Sequence, residues 1–326
     1  MKRLDVVKQI VPRLSPSLQT ASAFAPTNIA LCKYWGKRDI ELNLPITSSL
    51  SVSLGDKGTR TKISVSDQDK IILNGEVLSF DLPFAKRLID YLDLFRTKDN
   101  VRFLIETANN IPTEAGVASS ASGFAALVLA LDQLFHWQLD KKNLSILARL
   151  GSGSACRSLW QGFVKWHAGV QANGMDSVAE PLSVEWPNFR MGLLIFSEKE
   201  KSIGSREAMQ RVVATSRFYK EWPAQVDDDI KMIERALSQQ NFDLLGKTAE
   251  SNALAMHATL LTAQPSISYY LPETIAAMQS VWCLRAQGVS VYFTQDAGPN
   301  LKLLFLSKDE KIVKENFLNV EVIKYA

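Results

Sequence analysis

Four short stretches carry residues whose types and spacing could do chemistry. The first, IPTEAGVASSASG at 111–123, follows a β-prone run and opens an apolar helical one. Small residues there let a backbone approach a ligand closely, and the free N–H groups of a helix N-terminus attract phosphate. Ser119, Ser120 and Ser122 add hydroxyls where a phosphate, or a magnesium ion held with it, would sit. An ordinary capped helix entered through a Pro-Thr turn has the same look. The second stretch, GSGSACRSLW at 151–160, offers Ser152, Ser154 and Arg157 at an expected helix start. A guanidinium can hold a carboxylate or phosphate through two parallel hydrogen bonds, although a helix cap beside a surface arginine also fits. In the third, PTNIALCKYWGKRD at 26–39, an apolar run ends in Lys33, Tyr34, Trp35, Lys37 and Arg38. Either these cationic and aromatic groups meet something, or the strand end is solvated. The fourth is TQDAGPN at 294–300, where Asp296 is either a turn residue between two β-prone runs or a carboxylate a reaction needs.

Other patterns carry less. GSGSAC fails as a dinucleotide fingerprint because Cys156 holds the sixth position and no strand precedes it. GKT at 246–248 lacks the first glycine of a phosphate loop, since Asn241 stands there, and its surroundings read as helix. His136, His167 and His257 show no metal-ligand spacing, and there is no G-x-S-x-G elbow.

The elements that must position these stretches differ between the two halves. From 23 to 107 short alternating runs (SSLSVSL, TKISVS, KIILNG, VRFLIET), broken by one helical stretch, suit an antiparallel sheet with one covered face. Residues 121–135 and 141–150 read as helices, and GFVKWHAG and MGLLIFS as strands. The second half reads as helices over 205–260 and 272–286, two strands flanking TQDAGPN, a short helix at 308–317 and a last strand, VEVIKY. Strands and helices without a regular βαβ alternation predict an α+β fold. With 326 residues, 46% of them apolar, the chain can bury a large core, and its length predicts two domains meeting near 185.

A net charge of +3, without a dense Lys/Arg block, argues against a nucleic-acid partner and suits small anionic ligands. Cys32, Cys156 and Cys283 are far apart and odd in number, which fits a reducing, cytoplasmic setting. No apolar stretch is long enough to span a membrane. Residues 1–20 lack the apolar core of a secretory signal and place Val7, Ile10, Val11 and Leu14 at helical spacing; a short docked or frayed helix is expected, an organelle-targeting segment being the other reading.

Taken in order, PTNIALCKYWGKRD, NNIPTEAGVASSASG, GSGSACRSLW and TQDAGPN resemble the diphosphomevalonate decarboxylase family of the GHMP kinase superfamily, as do LNLPITSSLSVSL, KSIGSREAM and SNALAMHAT. The serine-rich loop alone would indicate only the superfamily. The resemblance implies a two-domain GHMP kinase-like α+β fold: an N-terminal extension (1–22), a ribosomal protein S5 domain 2-like domain (23–185) and a ferredoxin-like domain (186–326), with the site in the cleft between the domains. It implies ATP-dependent decarboxylation of mevalonate 5-diphosphate, with ATP and Mg2+ as cofactors and a homodimer as assembly. A related kinase that phosphorylates a mevalonate-like hydroxyl and stops is the alternative.

By that resemblance Asp296 faces the 3-hydroxyl as base or orienting acceptor, Lys33 balances its charge, and Arg157 holds the substrate carboxylate. Tyr34, Lys37, Ser152, Gly153 and Ser154 grip the diphosphate, Asn28 lies at the base of the site, and Ser205 and Arg206 close over the phosphates. Pro112, Ala115, Gly116, Ala118, Ser119 and Ser120 cradle the ATP phosphates, with Ser119 or Ser120 near magnesium. Departures from the family pattern are Gln295 before the aspartate, Gly204 beside Ser205, and Glu114 and Val117 in the loop.

Overall fold

The computed structural model describes residues 1–12, 15–96, 101–111, 119–199 and 201–325. The first half contains α1 (Arg3–Ile10), β1 (Thr20–Cys32), β2 (Lys37–Asp39), β3 (Leu44–Pro45), β4 (Ser49–Ser66), β5 (Lys70–Leu73), β6 (Glu76–Val77) and α2 (Pro83–Leu92). It continues with β7 (Arg102–Asn109), α3 (Ser119–Phe135), α4 (Lys141–Gly151), a 3-10 turn (Gly153–Arg157), β8 (Phe163–Trp166) and β9 (Ala179–Pro181). The second half adds β10 (Phe189–Leu194), α5 (Ser205–Thr215), α6 (Trp222–Ser238), α7 (Phe242–Leu261) and α8 (Pro272–Ala286). It closes with β11 (Val291–Gln295), β12 (Leu301–Leu306), α9 (Glu310–Asn316) and β13 (Glu321–Lys324).

Local chemistry explains the helix boundaries. Pro83 opens α2 at a position whose N–H needs no partner, and Ala85, Leu88, Tyr91 and Leu92 form its buried stripe. Asp140 caps α4 by accepting from the Asn143 N–H at 2.7 Å, and Asn241 caps α7 by accepting from Leu244 at 3.1 Å. The GKT segment lies inside α7, where Gly246 leaves room for the ring of Tyr292. At the N-terminus the expected short helix docks: of its anticipated stripe Val7 is fully buried and Ile10 and Val11 partly so, Leu14 lies outside the described residues, and Val6, outside that stripe, is fully buried too.

Two runs expected as separate strands, SSLSVSL and TKISVS, form one 18-residue strand, β4. The connecting residues do not turn the chain back. Gly55, at φ 63°, and Gly58, lying against the Ala25 carbonyl, let β4 bend and continue alongside β1. On its other edge β4 pairs β8 through its first part and β7 through its second, all antiparallel, while β5 pairs β7 in parallel.

The expectation of one covered face also fails here. Residues 25–32 of β1 are almost continuously buried, because α3 covers one face and helices α6 and α7 of the second half cover the other. Ala21, Ala23 and Ala25 join the α3 core, whereas Ile29 and Leu31 join Trp222, Val226 and Ile230. The second half builds its own antiparallel sheet, ordered β11, β12, β10, β13. β1 therefore runs between the two layers and delivers its end to the second sheet.

Gly36 makes the bend after β1, at φ 116°, and an added Cβ would strike the Tyr219 hydroxyl. That hydroxyl donates to the Trp35 carbonyl at 2.9 Å, tying the bend to the second half. Gly36→Ala is expected to lower the unfolding free energy by about 1–3 kcal/mol, read by thermal or urea unfolding. An unchanged midpoint would show that the bend is not constrained.

Candidate active site

The geometry converges on Asp296. It follows β11, and Lys33 follows β1; the Lys33 ammonium donates to Asp296 Oδ1 at 2.8 Å and to the Ala30 carbonyl at 2.8 Å. The lysine is almost fully buried, while 21% of the Asp296 side chain is open, so the carboxylate is reachable from one side. Burial alone would raise the Asp296 carboxyl, but Lys33 and Lys302 outweigh it and hold the group well below the usual carboxylate range. Burial lowers Lys33, and Asp296 opposes that.

The turn that carries Asp296 is tightly held. The Gly298 N–H donates to the Asp296 carbonyl at 2.7 Å, and the ring of His257 on α7 meets the same carbonyl at 3.2 Å. The Asn300 side chain accepts from Phe196 and Ser197 N–H groups at 2.7 and 3.1 Å, clamping the turn to the end of β10. Gln295 belongs to this scaffold: it is buried, and its amide donates to the Gly298 carbonyl at 2.8 Å. The turn reading of TQDAGPN holds, and the turn residues fix the position of an accessible, charge-paired carboxylate. Lys33 is fixed by its backbone as well, its N–H donating to Asn252 Oδ1 on α7 at 2.8 Å, and Asn252 in turn donates to Asp229 at 2.8 Å.

GSGSACRSLW does not start an α-helix. It forms the five-residue 3-10 turn after α4, because Ser152 leaves the helix in an extended conformation before the chain bends. The turn nevertheless aims Arg157 inward. That side chain is 2% exposed, its Nε donates to Asn28 Oδ1 at 3.3 Å, its Nη1 donates to Ser49 Oγ, and its guanidinium lies 5.8 Å from the Trp166 ring centroid. Asn28 donates onward to Ser158 Oγ at 2.6 Å and the Ser154 carbonyl at 3.3 Å, which explains the buried asparagine at the base. Burial lowers Arg157, and the nearby Asp296 opposes the shift.

Tyr34 packs edge-on to Trp166, 4.7 Å between centroids, and fills the space that a side chain at Gly153 would need. Its hydroxyl is buried without a hydrogen-bond partner among the described residues, which is how a donor awaiting an anion would look. Lys37 donates to Asn43 at 2.6 Å, and its ammonium is pushed down to about 8 by burial and then by the positive charges of Arg206 and Arg87. Ser152 and Ser154 are half-buried, as is Ser205, while Arg206 is exposed at the start of α5. Gly204 is the extended residue immediately before α5.

Three cations were not singled out from sequence. Lys302 on β12 lies 3.4 Å from Asp296 Oδ2 and is 1% exposed; a single lysine within LKLLFL was the available signal. Lys201 is pushed down to about 8 by burial and by Lys302. Arg87, whose Nε has no partner among the described residues, sits on α2 among ordinary amphipathic spacing and gave no signal. Pro112, Ala115, Gly116 and Ala118, with Glu114 and Val117, lie outside the described residues; Ser119 and Ser120 open α3. Among the described residues no cluster of three or more His, Cys, Asp or Glu could hold a metal. No helix among them is long and apolar enough to cross a membrane.

This two-domain α+β scaffold, with a cation-paired carboxylate where the end of β1 meets the second sheet, is that of a GHMP kinase-like enzyme. Residues 25–179 match the diphosphomevalonate decarboxylase-like N-terminal domain and residues 192–322 the mevalonate 5-diphosphate decarboxylase C-terminal domain. The chain is 38% identical over 318 residues to diphosphomevalonate decarboxylase mvd1 of Aspergillus fumigatus, covering 90% of this chain and 78% of that protein. It is similar to mevalonate diphosphate decarboxylase from Staphylococcus aureus, with a TM-score of 0.88 at 37% identity over 94% of this chain and 96% of the other. It is also similar to MDDEF in complex with MVAPP, AMPPCP and magnesium, with a TM-score of 0.85 at 37% identity over 93% and 96% of the two chains. The chain belongs to the diphosphomevalonate decarboxylase family.

Burial, with the Lys33 charge beside it, lowers His257 to about 3, so it stays neutral where an unfolded histidine would be protonated. The unfolded state then binds the extra proton below about pH 6.5, and stability is lost as pH falls from there toward 3. His257→Asn is expected to make the stability-against-pH curve shallower between pH 6 and 4, by up to about 1.4 kcal/mol per pH unit. An identical slope in chemical unfolding would contradict this.

Proposed function

We propose that this chain decarboxylates mevalonate 5-diphosphate in an ATP-dependent reaction, giving isopentenyl diphosphate, ADP, phosphate and carbon dioxide. The observation that carries the reading is the Lys33–Asp296 pair facing an inward, buried Arg157 across the domain junction. The chemistry requires such an arrangement. A tertiary hydroxyl leaves poorly, so it is phosphorylated first. The C–O bond to the new phosphate then breaks while the bond to the carboxylate carbon supplies the alkene electrons and releases carbon dioxide.

Asp296 accepts a hydrogen bond from the 3-hydroxyl, aligns it for attack and takes its proton as the new O–P bond forms. A carboxylate held so far down is a weak ground-state base, so alignment and charge placement are its main contribution, as loose phosphoryl transfer allows. Lys33 neutralises it, and Arg157 holds the substrate carboxylate in its planar fork. Tyr34, Lys37, Ser152, Gly153, Ser154 and Arg206 bind the diphosphate, whose remote binding energy fixes the reacting end. The unpartnered Tyr34 hydroxyl and the Lys37, Arg87 and Arg206 cluster support that assignment. Residues 112–120 cradle ATP, which supplies the phosphoryl group; Ser119 or Ser120 assists magnesium, and Ser205 closes over the phosphates. Domains at 23–185 and 186–326, the first ribosomal protein S5 domain 2-like and the second ferredoxin-like, and a homodimer complete the reading.

The test is product analysis with magnesium ATP and mevalonate 5-diphosphate: carbon dioxide and ADP form in equal amounts. ADP without carbon dioxide would assign a kinase that stops at phosphorylation. Asp296→Asn is expected to retain its circular dichroism and lose about 10²- to 10⁴-fold in kcat. Near-normal turnover would remove Asp296 from the reacting centre. Arg157→Lys is expected to lower kcat/KM by about tenfold or more, because an ammonium lacks the bidentate fork; unchanged kinetics would remove the arginine from the carboxylate.

A further inference from the structure

Lys302 is in direct contact with Asp296, and the reaction as written does not use it. It sits on β12 opposite Thr294 of β11 and Leu193 of β10, on the sheet face that meets the end of β1, where Thr294 Oγ1 donates to the Ala30 carbonyl at 3.3 Å. Its ammonium lies 3.4 Å from Asp296 Oδ2 and donates to the Asn300 carbonyl at 3.3 Å. Lys33 already occupies Oδ1 at 2.8 Å and suffices to balance the carboxylate. A second ammonium that is 1% exposed carries its own desolvation cost, and an apolar side chain would serve this leucine-rich strand more cheaply.

We propose that Lys302 is a positioning residue: by holding Oδ2 it fixes the plane of the Asp296 carboxylate, so that the incoming hydroxyl meets a defined acceptor rather than a rotating one. The inference rests on the functional reading above. With both oxygens engaged, the carboxylate cannot turn away from the open side, and the hydroxyl donates to a remaining lone pair. The groups facing Asp296 are Lys33 beyond β1, Lys302 on β12, Lys201 before α5, Arg157 in the 3-10 turn and His257 on α7. Since His257 stays neutral there, the removal of Lys302 takes away one of the two cations in direct contact with the carboxylate.

Lys302→Met and Lys302→Gln test this in the full-length protein. Either neutral variant is expected to lose about 10- to 100-fold in kcat, the range a small misplacement costs, while KM for mevalonate 5-diphosphate stays within about twofold. Losing a cation raises the Asp296 carboxyl, so the acid side of the kcat profile bends at higher pH than in the parent. A carbon-13 carboxylate titration, assigned with Asp296→Asn, should show the same upward movement without requiring turnover. A parent that releases no carbon dioxide would defeat the functional reading, yet the titration would still judge Lys302. An unmoved titration, a kcat loss with no change in the acid limb, or failure of both variants to fold would overturn the proposal.

Discussion

Everything in this molecule is arranged around one ion pair, Lys33 with Asp296, whose partners come from opposite halves of the chain. Removing an ammonium from water costs on the order of several kcal/mol unless an opposite charge meets it in good geometry. The two side chains must therefore be delivered to each other with little freedom. The Ala30 carbonyl and Asn252 fix Lys33, and Gly298, His257 and Asn300 fix the Asp296 turn. Because the carboxylate keeps an open side, the pair is a structural joint that a ligand can still reach.

That constraint accounts for the layered fold. A strand that brings Lys33 to a second sheet has to be covered on both faces, and β1 is: α3 lies over one and α6 with α7 over the other. The bent β4 supports it along its whole length. Arg157 comes toward the pair from the 3-10 turn, and Lys37, at the start of β2, shares its surroundings with Arg87 of α2 and Arg206 of α5. Catalysis that depends on alignment and charge requires this rigidity more than it requires reactive side chains.

Much of this was legible in the sequence. The α3 and α4 helices, the strands flanking TQDAGPN, and the meeting of Lys33 with Asp296 follow the expected pattern. What was not legible depends on contacts between distant segments. Continuous burial of β1 reflects the second half covering it, which no local window reports. The fusion of two runs into β4 turned on glycines that bend as readily as they break. Arg157 was expected at a helix start and stands in a 3-10 turn, with the same inward aim. Lys302 was visible as a lone charge in an apolar strand, but its meaning came only from the strand order that sets β12 beside β11.

The central claim is that Lys33 and Asp296 act as one unit across the domain junction. A double-mutant cycle in kcat, with Lys33→Met, Asp296→Asn and the pair, measures that directly. The account predicts that the double variant loses no more than the worse single variant, since either change alone dismantles the unit. Losses that multiply, each residue contributing independently, would contradict it.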